Sequence, residues 1–207
     1  MKIPFGIFVG RIIINILRPL FFLIFPYKFI NKDKIPQKDG PLVVCCNHIS
    51  LLDPFYLYLS LNRPIYFMAK SELFKNPLIG LFLTTFFGVF PVARGKGDFI
   101  AITHSLSILE NGRVLGIYPE GTRSKDGKLG MIKSGTSLIV AKAQSPVLPC
   151  VLFTKDNRVR AFRRTTLVFG DVMTPDDMHL SGEKPDLRYA TRKISSTFND
   201  LLEEYRA

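Results

Sequence analysis

Two side chains capable of acid–base chemistry stand five positions apart in the segment NHISLLD, residues 47–53. They are His48 and Asp53. A histidine changes charge near neutral pH and can remove a proton from a hydroxyl group. A carboxylate bound to its second ring nitrogen fixes the tautomer and stabilises the imidazolium that forms. The pair could therefore activate an attacking hydroxyl, provided that the chain brings the two side chains together.

No single regular element would pair these side chains. Five residues of a continuous α-helix turn through about 500°, which leaves the side chains roughly 140° apart, and an odd offset on a strand places them on opposite faces. The flanking residues predict a change of structure: 41–46 have the composition of a buried strand, and Asp53 followed by Pro54 is typical of a helix start. A strand, a turn and a helix could fold Asp53 back onto His48. The alternative is that Asp53 only caps the helix and that His48 is an ordinary turn residue.

A second polar stretch, IYPEGTRS at residues 117–124, follows another apolar run. Its candidate binding residues are Glu120, Gly121, Thr122 and Arg123. Loops at the carboxyl ends of α/β strands commonly bind ligands, and an arginine beside hydroxyls and backbone N–H groups suits a phosphate. A further arginine, Arg94, follows a third apolar run in VFPVARGKG, where glycines would let the backbone approach a ligand. Each stretch alone could be a turn with a solvated charge, but three in one sheet favour a ligand site.

The composition points to an anionic, apolar partner. The chain has 207 residues, 47% of them hydrophobic, a mean hydropathy of +0.18 and a formal net charge of +11. A basic chain contacts nucleic acid or a membrane surface, and the apolar excess favours the membrane. A nucleic-acid site would interleave aromatic with basic residues, whereas the aromatic residues here cluster in apolar segments, so we expect no nucleic-acid partner. The three cysteines have no metal-ligand spacing, and we expect no metal.

Residues 1–30 carry basic residues and no acid. Their polar residues with the spacing of one helical face are Arg11, Asn15 and Arg18. This pattern predicts a helix that lies in a membrane interface, with Pro19 and Pro26 bending the chain afterwards. A helix buried against the rest of the protein is the alternative.

The rest of the chain alternates between strand-like and helical patterns. Strand-like runs recur at residues 65–69, 88–93, 113–118, 147–153 and 165–170. The last helical pattern begins at Asp186. Alternation of this kind predicts an α/β fold, with a single mixed sheet that has helices on both faces, preceded by the N-terminal membrane-interface helical segment.

Four segments in fixed order, NHISLLD, GVFPVARG, IYPEGTRS and VLPCV, spread over residues 47–151. This set resembles the glycerolipid acyltransferases, in particular those that acylate 1-acylglycerol 3-phosphate. The resemblance implies that His48 and Asp53 are catalytic. It implies that the second and third segments bind the glycerol phosphate of the acceptor, through Arg94, Glu120, Gly121, Thr122 and Arg123. It divides the chain into an anchor, residues 1–30, and an acyltransferase domain, residues 31–207.

The expected reaction is transfer of an acyl chain from acyl-CoA or acyl carrier protein to the free hydroxyl of 1-acylglycerol 3-phosphate, a lysophosphatidic acid, to form phosphatidic acid for phospholipid synthesis. The resemblance implies no cofactor besides the acyl donor, which is a co-substrate. It also implies a position on the cytoplasmic face of the cell membrane. Two alternatives stay open: an acyltransferase for glycerol 3-phosphate or another lysophospholipid, and an acyl-thioester hydrolase that uses the same histidine to activate water.

Overall fold

A computed structural model describes residues 4–92 and 98–206. Its strands are β1 (Tyr27–Ile30), β2 (Leu42–Cys46), β3 (Ile65–Lys70), β4 (Phe90–Val92), β5 (Val114–Ile117), β6 (Val147–Thr154) and β7 (Thr165–Phe169). Its α-helices are α1 (Phe5–Ile24), α2 (Asp53–Ser60), α3 (Pro77–Phe87), α4 (Asp98–Glu110), α5 (Gly135–Ala143) and α6 (Leu187–Arg206). The predicted strand-like runs therefore all contain strands, the second of them continuing into residue 93, which lies outside the described residues.

The strands form one seven-stranded sheet in the order β1-β7-β6-β2-β5-β3-β4. Neighbouring strands are parallel except for β6 and β7, which are antiparallel. The carboxyl ends of β2, β5 and β6 consequently meet at one edge of the sheet, where open α/β sheets bind ligands. The prediction of a single mixed sheet is confirmed.

Helices cover both faces of this sheet. The central strand β2 is apolar throughout because both of its faces are buried. Val43 and Cys45 pack in a core on one face, whereas Leu42, Val44 and Cys46 pack on the other with residues of α2. On the first face lies α6, with the buried side chains Ala190, Ile194, Phe198 and Leu201. A strand buried on both faces needs a continuous apolar run rather than an alternating one.

The N-terminal helix α1 continues from Phe5 to Ile24, through Pro19. The expectation that Pro19 would bend the chain after the helix is therefore wrong. Pro19 is exposed, and the helix continues although residue 19 has no N–H to donate to the Asn15 carbonyl. After α1, residues Tyr27–Ile30 form β1, which pairs with β7. The predicted boundary between the anchor and the acyltransferase domain, at residues 30 and 31, stays a prediction. Strand β1, which ends at this boundary, belongs to the sheet.

Helix α1 is long and apolar enough to cross a membrane by length and composition. It nevertheless contacts the rest of the protein near both ends: Gly10 packs against the backbone of Phe86 in α3, and the Ile24 carbonyl accepts a hydrogen bond from the Phe162 N–H. Its other side exposes large apolar side chains at Phe5, Phe8, Ile12, Ile13, Ile16, Leu17, Leu20, Phe22 and Leu23. An apolar surface of this size indicates association with a membrane.

Candidate active site

The chain bends between His48 and Asp53 and brings the two side chains into contact. Strand β2 ends at Cys46 and α2 begins at Asp53, and in between the Nδ1 atom of His48 lies 2.7 Å from Oδ2 of Asp53. The same Oδ2 accepts hydrogen bonds from the backbone N–H groups of Ile49 at 2.7 Å and Ser50 at 2.8 Å. The Asp53 carboxylate thus points back into the turn that precedes it rather than capping its own helix.

Burial differs sharply within this pair. The Asp53 side chain is fully buried, whereas 18% of the His48 side chain is exposed. With Nδ1 directed at the carboxylate, Nε2 is the ring nitrogen on the opposite side, available to a substrate. An ionised Asp53 favours the tautomer that carries its proton on Nδ1, which leaves a lone pair on Nε2. This arrangement suits a general base.

The face of the His48 ring is covered by Tyr118, which follows β5. The two rings stack with centroids 4.1 Å apart, and Phe67 stacks on Tyr118 in turn. Burial raises the pKa of the Tyr118 hydroxyl well above its usual value, so the group stays protonated. Our sequence analysis missed this support. The only available signal was the aromatic residue at the end of a strand, directly before the PEGTR loop.

Glu120 ties the two motif segments together. Its side chain is buried, and its two oxygens accept hydrogen bonds from the backbone N–H groups of His48 and Gly130, each at 2.8 Å. Burial raises the pKa of this carboxyl group, and the two N–H donors act in the opposite direction. A further backbone hydrogen bond joins the Ser124 N–H to the His48 carbonyl at 2.8 Å. The IYPEGTRS loop therefore holds the backbone of the histidine from both sides.

The remaining predicted residues of this loop lie at its surface. Thr122 and Arg123 are exposed, where a ligand could reach them. Gly121 adopts a left-handed backbone with φ of +70°, which favours glycine. The ammonium nitrogen of Lys133 lies 3.1 Å from the position that a Cβ atom on Gly121 would occupy. Lys133, which the sequence analysis did not assign to this loop, places a cation beside Gly121.

The structure leaves one predicted binding residue without a description. Arg94 lies outside the described residues, just beyond the end of β4 at Val92. Strand β4 is the last strand of the sheet and pairs with β3 in parallel. The role of Arg94 therefore stays a prediction.

Asn47 fixes the end of β2 next to the histidine. Its side-chain amide donates to the Leu152 carbonyl at 2.9 Å, and its side-chain oxygen accepts from the Leu152 N–H at 2.7 Å. The side chain thereby continues the pairing of β2 with β6 beyond the last strand residue. This contact anchors the point at which the chain leaves the sheet and turns toward Asp53.

Comparison with known proteins follows the same segments. A model of the family described as Acyltransferase matches residues 27–153, a range that contains all four segments. The chloroplastic 1-acyl-sn-glycerol-3-phosphate acyltransferase of Brassica napus is 33% identical over 171 residues, covering 81% of this chain and 49% of the relative. The 1-acyl-sn-glycerol-3-phosphate acyltransferase of Bacillus subtilis is 28% identical over 177 residues, covering 84% of this chain and 87% of the relative. The chain thus spans about half the length of the chloroplast relative.

A solved structure has the same fold. The crystal structure of the 1-acyl-sn-glycerophosphate (LPA) acyltransferase PlsC from Thermotoga maritima superimposes with a TM-score of 0.78 at 23% sequence identity. The match covers 98% of this chain and 81% of that chain, so it includes α1 as well as the sheet.

Proposed function

Because the chain belongs to the acyltransferase family, we propose that it transfers an acyl chain from an acyl thioester to the free hydroxyl of 1-acylglycerol 3-phosphate and so forms phosphatidic acid. The observation that carries this proposal is the 2.7 Å contact between His48 and Asp53 at the edge of the sheet where the PEGTR loop also lies. The names of the relatives favour this acceptor over others.

His48 acts as the general base of this reaction. Its Nε2 removes the hydroxyl proton of the acceptor while that oxygen attacks the thioester carbonyl, a step that a positioned base accelerates by about 10² to 10⁴. Asp53 holds the ring through Nδ1 and stabilises the imidazolium. The proton then passes to the departing thiolate, which is a good leaving group, so that no acyl-enzyme intermediate is required.

The loop cations hold the phosphate of the acceptor. Arg123 can donate two parallel hydrogen bonds to a phosphate, and Lys133 adds a point charge close to Gly121. The hydroxyl of Thr122 lies in the same exposed loop. Arg94, which lies outside the described residues, is proposed to bind the same phosphate. Each oxygen of Glu120 accepts a hydrogen bond from a backbone N–H group, so we assign Glu120 the role of supporting the loop.

The oxyanion of the tetrahedral intermediate also needs hydrogen-bond donors. The backbone N–H groups of His48, Ile49 and Ser50 already donate to Glu120 and Asp53. The donors to the oxyanion therefore come from outside these three N–H groups.

The donor is acyl-CoA or acyl carrier protein, and the enzyme works at the cytoplasmic face of the cell membrane. The exposed apolar side of α1 would keep the active site beside an acceptor that is itself a membrane lipid. Contacts with the sheet domain near both ends of α1 favour a helix that lies in the interface over one that leaves the domain to span the bilayer.

An acceptor panel tests the proposal. Purified full chain is given acyl-CoA or acyl carrier protein with 1-acylglycerol 3-phosphate, glycerol 3-phosphate, a lysophospholipid with a larger headgroup, or no acceptor, and products are identified by mass spectrometry. We expect phosphatidic acid as the main product. Release of fatty acid at the same rate without acceptor would identify a hydrolase, and preferred acylation of glycerol 3-phosphate would identify a different acceptor.

A further inference from the structure

A polar cavity of about 240 Å³ lies between α1 and α2, apart from the candidate active site. Its polar lining residues are Arg11, Asn15, Arg18, Tyr58 and Asn62. Helix α2 begins at the active-site residue Asp53, and its eight residues rise about 1.5 Å each, so that its far end stands roughly 12 Å away. The cavity lies at that far end, and no residue of the NHISLLD or IYPEGTRS segments lines it.

The cavity is positively charged. Arg11 and Arg18 line it, and no acidic residue does. Among the ion pairs of residues 4–92 and 98–206, none involves either arginine. Arg18 uses its Nε atom to donate to the Tyr27 hydroxyl at 2.9 Å, which leaves its two terminal nitrogens for a ligand. Two guanidinium groups without a carboxylate partner attract an anion, and their planar forks match a phosphate.

Tyr58 provides an independent sign of a missing ligand. The residue is only 6% exposed, and its hydroxyl group is buried without a hydrogen-bond partner in the described part of the chain. Burial raises the pKa of this hydroxyl to about 12, with the nearby Arg11 acting in the opposite direction, so the group keeps its proton and can donate it. The large majority of buried side-chain polar groups have a hydrogen-bond partner, either protein or ordered water. An anion in the cavity would accept the hydrogen bond.

Compensation of the α2 dipole is the alternative role for these arginines, because the cavity adjoins the C-terminal end of α2, where helix carbonyls carry partial negative charge. The hydrogen bonds of the described residues include none from Arg11 or Arg18 to a carbonyl of α2; the one that Arg18 donates goes to Tyr27. Dipole compensation also gives no partner to the Tyr58 hydroxyl. Both observations favour a ligand.

The position of the cavity indicates what kind of anion binds. It opens on one side of α1, whereas the far side of the same helix exposes large apolar residues, including Ile13, Ile16 and Leu20. Helix α3 extends this apolar surface with Leu78 and Leu81. A helix with its apolar side among acyl chains places its polar side at the level of the lipid headgroups. The cavity is also smaller than the about 300 to 1,000 Å³ typical of sites that enclose a whole small molecule.

We propose that this cavity binds the phosphate of an anionic membrane phospholipid, at a site separate from the one that binds the acceptor. The bound lipid would hold α1 against both the bilayer and α2, and so fix the height of the active site above the membrane. The proposal goes beyond the acyl-transfer reaction, and its test measures vesicle binding, so the two proposals can fail separately.

The test uses a substitution that leaves the charge unchanged. Tyr58→Phe removes only the hydroxyl, and Tyr189→Phe is the matched control because Tyr189 lies on α6, over the opposite face of the sheet from α2. Parent and variant proteins, each with residues 1–207, are sedimented with phosphatidylcholine vesicles, with and without phosphatidylglycerol. We expect Tyr58→Phe to bind phosphatidylglycerol vesicles about 10-fold more weakly or worse, as for loss of a hydrogen bond to a charged group. Tyr189→Phe should bind like the parent.

A second pair of variants separates specific binding from diffuse attraction. Arg11→Gln and Lys28→Gln each remove one positive charge, but Lys28 does not line the cavity. Lys28→Gln should weaken binding to phosphatidylglycerol vesicles by about fivefold, the effect of one basic residue near an anionic surface. Arg11→Gln should weaken it by about 10- to 100-fold, because a charge-assisted hydrogen bond is lost as well.

Three results would overturn the proposal. Equal vesicle binding by Tyr58→Phe and Tyr189→Phe, with a lower denaturation midpoint for Tyr58→Phe, would give the hydroxyl a structural role. Saturable binding of inorganic phosphate that Arg11→Gln abolishes, with vesicle binding unchanged, would assign the cavity to a soluble phosphate. A raised KM of Tyr58→Phe for a short-chain, water-soluble lysophosphatidic acid, measured without vesicles, would make the cavity the acceptor site.

Discussion

Glu120→Gln should lower turnover without weakening acceptor binding. In the parent, one carboxylate oxygen accepts from the His48 N–H and the other from the Gly130 N–H. Glutamine can keep only one of these bonds, because its NH₂ group would face the second N–H donor. The variant therefore loses its hydrogen bond either to the backbone of His48 or to the backbone of Gly130.

The size of the effect follows from the two contacts. Loss of one hydrogen bond to a charged group costs about 1.5 to 3 kcal/mol of folding stability. The desolvation that raises the pKa of Glu120 offsets part of this cost, so we expect a loss near the lower limit. Misplacement of a catalytic group by about 1 Å can cost about 10²-fold in rate. We therefore expect kcat to fall by about 10- to 100-fold. The acceptor KM should stay near the parental value.

The pH dependence of stability gives the same substitution a second readout. Since the pKa of Glu120 is raised by folding, its stabilising contribution is fully present below the usual pKa of a glutamate, about 4.3, and is lost as the pH rises through the folded-state value. The glutamine side chain of the variant does not titrate, so the parent's advantage in unfolding free energy over the variant should shrink as the pH rises above about 4.

Urea denaturation at several pH values and steady-state kinetics measure these effects. Glu110→Gln is the control, because Glu110 is exposed at the end of α4. A Glu120→Gln enzyme with parental kcat and a strongly raised acceptor KM would refute the reasoning, since it would mean that the carboxylate binds the acceptor.

Three further predictions concern binding and anchoring. Arg123→Ala should raise the KM for 1-acylglycerol 3-phosphate by about 10- to 100-fold and leave the use of a phosphate-free glyceride unchanged; a raised donor KM instead would reverse the substrate assignment. Gly10→Ala should lower the unfolding free energy by about 1 to 3 kcal/mol, because its Cβ would strike the Phe86 carbonyl. Gly135→Ala is the control, because a Cβ at this helical position meets open space, and it should not lower the unfolding free energy. Equal stability of the two variants would contradict the contact between Gly10 and Phe86. A chain that starts at residue 26 keeps β1 but lacks α1, and in vesicle sedimentation it should bind more weakly than the parent; equal binding would mean that α1 is not the anchor.

The strand, turn and helix around His48 could be predicted because each has a local signal. An apolar run of β-favouring residues predicts β2, and the Asp53-Pro54 pair predicts the start of α2. The contact of His48 with Asp53 then depends only on residues within the same short segment. The structure agrees on all these points, and differs in that the Asp53 carboxylate bonds to the turn before it and not to the N–H groups of α2.

The supports of the histidine could not be predicted because they depend on distant loops. Glu120 supports the site only because the backbone N–H of Gly130 lies within hydrogen-bond distance. Tyr118 supports it only because the ring of His48, from the turn after β2, stacks on it. Residue spacing carries no information about either. The position of Pro19 misled for a different reason: a proline costs a helix one hydrogen bond and some strain, but this cost does not always end the helix, and α1 continues through Pro19.

The polar face of α1 shows the same limit. The spacing of Arg11, Asn15 and Arg18 predicts that they share one side of a helix. It does not predict that this side faces Tyr58 across a cavity, because that contact depends on how α1 packs against α2.

The most direct test of the account is the rate of phosphatidic acid formation by purified His48→Ala protein. Turnover is measured by mass spectrometry with saturating acyl thioester and 1-acylglycerol 3-phosphate, and circular dichroism and the denaturation midpoint establish that the variant is folded. Loss of a positioned general base predicts that kcat falls by about 10² to 10⁴. Parental turnover in the folded variant would show that His48 is not the base, and would contradict the mechanism.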